Sequence, residues 1–122
     1  MIDPDLLKTM PTAFELFSEQ LARLVEELEN LLASLEDIDQ SEGLELLEER
    51  SDEFANKLHQ IKGGAGFLKL QPITEVAARG EEFWKNSQFD SLEQSHSTIA
   101  GICSTLKNAN TEIVALLGQT RD

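Results

Sequence analysis

Between Phe14 and Leu35 the chain keeps to one rhythm. Phe14, Phe17, Leu21, Leu24, Leu28, Leu31 and Leu35 stand alternately three and four residues apart. A strand turns successive side chains to opposite faces, so this spacing cannot line one side of a sheet. On an α-helix it forms a continuous apolar stripe. A stripe of that length needs other elements to cover it, which restricts the fold to layers of packed helices unless strands appear elsewhere. The spacing predicts a helix over roughly residues 13–36, with Thr12 as N-cap and Glu15 placed for a capping box.

Strands do not appear elsewhere. No run alternates β-branched residues with polar ones, and no Asn-Gly or Asp-Gly pair marks a hairpin. Asp3-Pro4 has the form of an N-cap followed by proline in the first turn, so a short helix is expected from Pro4 to Met10, stopped by Pro11. The polar stretch 36–43, ending in Gly43, reads as a connection. The apolar rhythm resumes through Leu44, Leu47, Phe54, Leu58, Ile61, Ala65 and Leu68, with Ser51 in the missing place. Pro72 opens a third long segment whose inner stripe is Ile73, Val76, Ala77, Gly80, Phe83 and Trp84. After NSQFDS, Asp90 and Glu93 suggest a capping box for a last helix that carries Leu92, Ile99, Ile102, Cys103, Leu106, Ala109, Ile113 and Leu117 and ends near Gly118. The expected fold is all-α: an antiparallel four-helix bundle with a short additional N-terminal helix, as a single domain over residues 1–122.

Composition narrows the function classes. Lys and Arg total 10 against 23 Asp and Glu, a net charge of −13. That field repels nucleic acid and anionic membrane surfaces and suits solubility, or a partner with a basic rim. No run approaches the roughly 20 apolar residues of a membrane span, and the N-terminus lacks the basic and apolar regions of a secretory signal. The single Cys103 excludes an internal disulfide and fits a reducing compartment. The expected setting is cytoplasmic, or a cytoplasm-facing domain of a larger protein.

Residues 58–67, LHQIKGGAGF, set three glycines within four positions of a helix, directly after a histidine and a lysine. At about 100° per residue, the stripe Phe54, Leu58, Ile61, Ala65, Leu68 clusters within roughly 80°, and His59 falls about 140° from its centre. The histidine therefore points outward, with Ala55, Asn56, Lys62 and Gly63 one turn away and Gly66 two turns on. Three helical glycines cost roughly 2–3 kcal/mol relative to alanine, so bulk must be unwelcome on that surface. Gly64 points nearer the core, where it permits close packing. The competing reading, that GGAG ends the helix, conflicts with the apolar phase that continues to Leu68.

His59-Gln60-Ile61-Lys62-Gly63 resembles the His-x-Ile/Leu-Lys-Gly motif of histidine-containing phosphotransfer domains, and HQIKGGAG is similar to the form found in bacterial chemotaxis kinases. The resemblance covers nearly the whole chain. It implies that His59 accepts a phosphoryl group, that Lys62 lies near it and offsets its charge, and that Gly63 and Gly66, with Ala55, Asn56 and Phe67 around them, leave room for a partner. It also implies a Gln or Glu 22 residues after the histidine, bonded to the imidazole; here that position is Glu81. Helix lengths are consistent with this, since about 11 residues lie between His59 and the turn near Leu70 and about 11 between the turn and Glu81, so both stand at the same height. The other reading of GEEFW is a run of solvated acids, with Glu82 as substitute. Two positions depart from the pattern: Lys69 stands where many members have glycine, and Gly80 where many have a large aliphatic residue, its room open to Phe83 or Trp84.

A neutral imidazole is a competent nucleophile near neutral pH. The resemblance implies attack on an aspartyl phosphate of a response-regulator receiver domain, which would also bring the Mg²⁺; this chain is expected to hold no cofactor or metal of its own. It carries no Gly-Lys-Ser/Thr after spaced glycines, so self-phosphorylation from ATP is not expected. The expected function is a relay of phosphoryl groups between receivers, with receivers or a hybrid sensor kinase as partners and a monomeric bundle. The alternatives are a substrate domain of a larger kinase and a non-catalytic helical module that docks a partner helix on the glycine patch. His96, with Ile99 in place of lysine, reads as structural, Cys103 as a core thiol, and the acidic stretch Glu36 to Glu53 as a solvated face.

Overall fold

Proline and aspartate set the start of the fold. The Asp3 carboxylate accepts from the N–H groups of Asp5 and Leu6, and Pro4 occupies the first turn of α1 (Pro4–Thr9). The computed structural model describes residues 2–120, and α1 is followed by α2 (Pro11–Leu35), α3 (Gln40–Phe67), α4 (Gln71–Lys85) and α5 (Leu92–Thr120). No strand occurs among the described residues.

The four long helices form a closed ring. α3 packs along α4 and α2 along α5, while α2 meets α3 and α4 meets α5. Neighbours run antiparallel: Lys57 of α3 pairs with Glu27 of α2, whereas the later Gly64 lies against the earlier Phe17. Likewise Glu48 of α3 accepts a hydrogen bond from Ser87, just past the end of α4, while the later Leu58 lies against the earlier Gly80 of α4. The expected four-helix bundle with a short N-terminal helix is thus the observed architecture. The α2 stripe from Phe14 to Leu35 is buried throughout, and α1 adds Leu7 to the same core. At one end, Trp84 stacks on Phe54 with ring centroids 5.0 Å apart and meets Phe83 and Phe89 edge-on.

Several expected boundaries shift. Pro11 does not only stop α1; it opens α2, since its fixed φ and missing N–H suit the first turn. Thr12 is therefore inside the helix, and Met10, which makes no side-chain cap, precedes it. The connection between α2 and α3 is shorter than expected, because Asp39 caps α3 through Glu42 N–H at 2.8 Å. Gly43 is consequently a buried helical residue: a Cβ there would lie 2.6 Å from Leu92 Cδ2. Ser91, not Asp90, caps α5, its Oγ accepting from Gln94 N–H at 3.1 Å. At Gly80 the room is taken by Leu58, 3.0 Å from a hypothetical Cβ, and by Ile102, rather than by Phe83 or Trp84. α3 runs unbroken through the glycine triplet to Phe67, so the glycines do not end it.

Candidate functional site

The α3–α4 turn sets the register of the site. Leu70 N–H donates to Ala65 O at 2.8 Å and Lys69 N–H to Gly66 O at 3.2 Å, the paired bonds of a Schellman motif. The residue between the two helices in that motif must turn left-handed, and Lys69 does so at φ 59°. This accounts for Lys69 at a position where glycine is usual: the backbone still adopts the glycine-like conformation, with a lysine bearing the steric cost.

Antiparallel helices leaving that turn bring His59 and Glu81 to the same height. His59 Nδ1 and Glu81 Oε2 are 2.8 Å apart. A carboxylate only accepts, so this contact requires a ring proton on Nδ1; in the neutral ring Nε2 then carries the lone pair. The His59 side chain is 65% exposed while that of Glu81 is 17% exposed, so a sheltered acid holds a projecting ring. The other carboxylate oxygen, Oε1, accepts from Lys62 Nζ at 2.6 Å. One carboxylate thus joins the two basic side chains. The Lys62 ammonium first, and the imidazole after it, hold the Glu81 carboxyl below its ordinary range, against the opposing effect of burial. Glu82, the other acid of the pair, is exposed.

The floor around the ring is bare. Neither at Gly63 nor at Gly66 would a Cβ meet any atom within 4 Å, whereas at Gly64 it would lie 2.9 Å from Phe17 Cδ1. Asn56 and Phe67 are exposed on the same side of α3. Ala55, expected in this patch, is not: it is only 8% exposed and belongs to the edge of the core, because its direction on the wheel lies toward α4. Lys62 is also not an unengaged cation at the ring, since its ammonium is paired with Glu81.

One surface residue escaped the sequence reading. Leu16 is 61% exposed, and with Phe67 at 65% it is among the large apolar side chains left open to solvent. Because Phe17 abuts Gly64 and Gln20 faces Gln60, Leu16 stands on the α2 edge of the surface that carries Gly63 and Phe67. Its signal in the sequence is a leucine between Phe14 and Phe17, out of phase with the α2 stripe.

Elsewhere, His96 is half-buried near the start of α5. Cys103 is buried, its Sγ 3.8 Å from Val25 O, and burial pushes its thiol up. Among the described residues no group of three or more His, Cys, Asp and Glu side chains is placed to hold a metal, and no helix is long and apolar enough to cross a membrane.

No curated protein and no solved structure matched the chain. The family model of the Hpt domain matches residues 13–116, from the first turn of α2 to the last turns of α5, and so includes every residue of the site. The chain belongs to the Hpt domain family, the histidine-containing phosphotransfer domains of two-component signalling.

Proposed function

We propose that the chain relays phosphoryl groups between aspartyl-phosphate receiver domains, with His59 as the transient carrier. One observation supports this above the others: an exposed imidazole whose Nδ1 is held by a carboxylate 2.8 Å away, above two glycines with open space over them. On this reading Nε2 attacks the phosphorus of an aspartyl phosphate. The P–O bond to the receiver's aspartate breaks and the carboxylate leaves. The transition state is loose, with charge spread over the phosphoryl oxygens. Lys62 supplies one cation from this chain. A receiver would bring Mg²⁺ and the rest of the charge stabilisation. Gly63 and Gly66 let the rim of the receiver's pocket approach, with Asn56, Phe67 and Leu16 as the surrounding contact surface. The second transfer is the reverse of the first, onto another receiver.

The experiment is direct. The protein is incubated with a phosphorylated receiver, and acid-labile, base-stable label is followed on it. The label is expected on the wild type and absent from His59→Gln with its helix content unchanged. Label that persists in His59→Gln, or none on the wild type across a panel of receivers, overturns the relay. The latter result, with a receiver still binding, would instead favour the interaction module.

A further inference from the structure

The resting site contains a pairing that a simple phosphoryl counter-charge does not need. Lys62 Nζ sits 2.6 Å from Glu81 Oε1, so the cation is already engaged, and with the same carboxylate that holds Nδ1. Glu81 therefore divides its charge between an ammonium and an imidazole. A phosphoryl group on Nε2 would add close to two negative charges within a helical turn of Lys62, and it offers oxygens that compete for the ammonium.

We infer that Lys62 changes partner when His59 is phosphorylated, leaving Glu81 Oε1 for the phosphoryl oxygens, so that the whole carboxylate charge of Glu81 then bears on Nδ1–H. This rests on His59 being the carrier. Its consequence is chemical. When the P–Nε2 bond breaks, its electron pair returns to Nε2. If Nδ1 keeps its proton, the group that leaves is neutral imidazole; if Nδ1 has lost it, the group is imidazolate, a much poorer leaving group. An undivided carboxylate at Nδ1 keeps that proton in place. The partner exchange thus makes the loaded ring easier to discharge than the same ring with Lys62 still bound to Glu81.

On α3 the charged neighbour one turn away is Lys62; on α4 Glu82 follows Glu81 and Lys85 stands one turn beyond it; Arg23 and Glu27 of α2 and Lys57 of α3 line the α2–α3 groove together with the neutral Gln20 and Gln60.

The test uses the full chain, ¹⁵N-labelled, and a small phosphoramidate as donor; Nε2 displaces ammonia from its phosphorus. ³¹P signal and label on the wild type but not on His59→Gln establish the carrier. Their absence defeats the relay reading itself, an outcome distinct from failure of the partner exchange. On the loaded wild type, the Lys62 ammonium resonance, assigned with Lys62→Gln, is expected to move and to couple to the phosphoryl group. A resonance unchanged by loading overturns the exchange. Loss of phosphoryl to water at pH 8 is expected to slow about tenfold in Glu81→Gln, the scale of removing one charge at hydrogen-bond distance. The same factor is expected in the Lys62→Gln background, because the two residues no longer touch in the loaded state. A Glu81→Gln effect below about twofold, or one that grows or disappears when Lys62 is also replaced, overturns it.

Discussion

Replacing Gly63 and Gly66 together by alanine measures what the bare surface costs the fold. Both glycines lie inside α3, neither has a positive φ, and an added Cβ meets nothing within 4 Å. No packing or backbone requirement opposes the substitution, so each alanine gains the helix-propensity difference, about 1 kcal/mol. The pair should stabilise the domain by about 2 kcal/mol, which at a urea m-value of roughly 2 kcal/mol/M moves the midpoint up by about 1 M. Gly64→Ala is the internal contrast. Its Cβ would lie 2.9 Å from Phe17 Cδ1 and 3.1 Å from Cε1, against a ring only 4% exposed. An overpacking cost of about 1–3 kcal/mol cancels or exceeds the same propensity gain. The assay is urea unfolding of the three proteins, followed by transfer from a phosphorylated receiver. The doubly substituted protein should be more stable and slower in transfer. No gain in stability would refute the claim that the surface is structurally unconstrained. A gain with undiminished transfer would refute the claim that the space serves a partner.

Gly63→Leu extends the same logic: the helix should persist by circular dichroism while transfer falls at least tenfold, and equal rates would count against docking at Gly63. Lys69→Gly should raise stability by about 1 kcal/mol in urea, because φ 59° is strained for lysine and free for glycine; a loss of stability would mean that the lysine side chain contributes more than its backbone costs. In acid, Glu53 should matter. Arg50 first and Lys57 second lower its carboxyl from 4.5 to about 2 in the folded protein. A depressed folded value gives stability that is fully present above about pH 4.5 and is lost as pH falls from there toward 2. The Glu53 side chain is 39% exposed, so solvent screening limits the effect to roughly 1 kcal/mol or less. Glu53→Gln should flatten stability against pH in that window, and an unchanged slope would remove the ion pairs from the account.

The α2 stripe was legible because every member lands in the core, and long periodic burial leaves a period that nothing else imitates. The outward direction of His59 followed from the same geometry on α3, as did the inward turn of Gly64 toward Phe17. The helix ends were less legible. Thr12, Asp39, Asp90 and Ser91 are all competent caps, and which one acts depends on where the neighbouring chain can go. Gly43 looked like a loop residue because glycine favours loops; the Leu92 side chain that fills its space comes from 49 positions later. The pairing of Lys62 with Glu81 was hidden for a related reason. The sequence placed each beside the ring, but only the packed distance between α3 and α4 reveals that they meet each other. Lysine itself states no preference for the left-handed backbone at position 69; the signal lay in the glycine that the resemblance puts there. Leu16 did carry one, as a leucine off the stripe.

His59, Lys62 and Glu81 all stand within helices, none on a loop. Such a centre offers every visitor the same rigid face and has little freedom to reshape itself for one of them. On the proposed relay, discrimination among receivers resides at the periphery, in Leu16, Asn56, Phe67 and Lys69, where side chains are exposed. Changes at the centre should silence all exchanges alike, while changes at the periphery should reorder which receivers are served. A lineage could therefore rewire its circuits at the rim without ever touching the reaction.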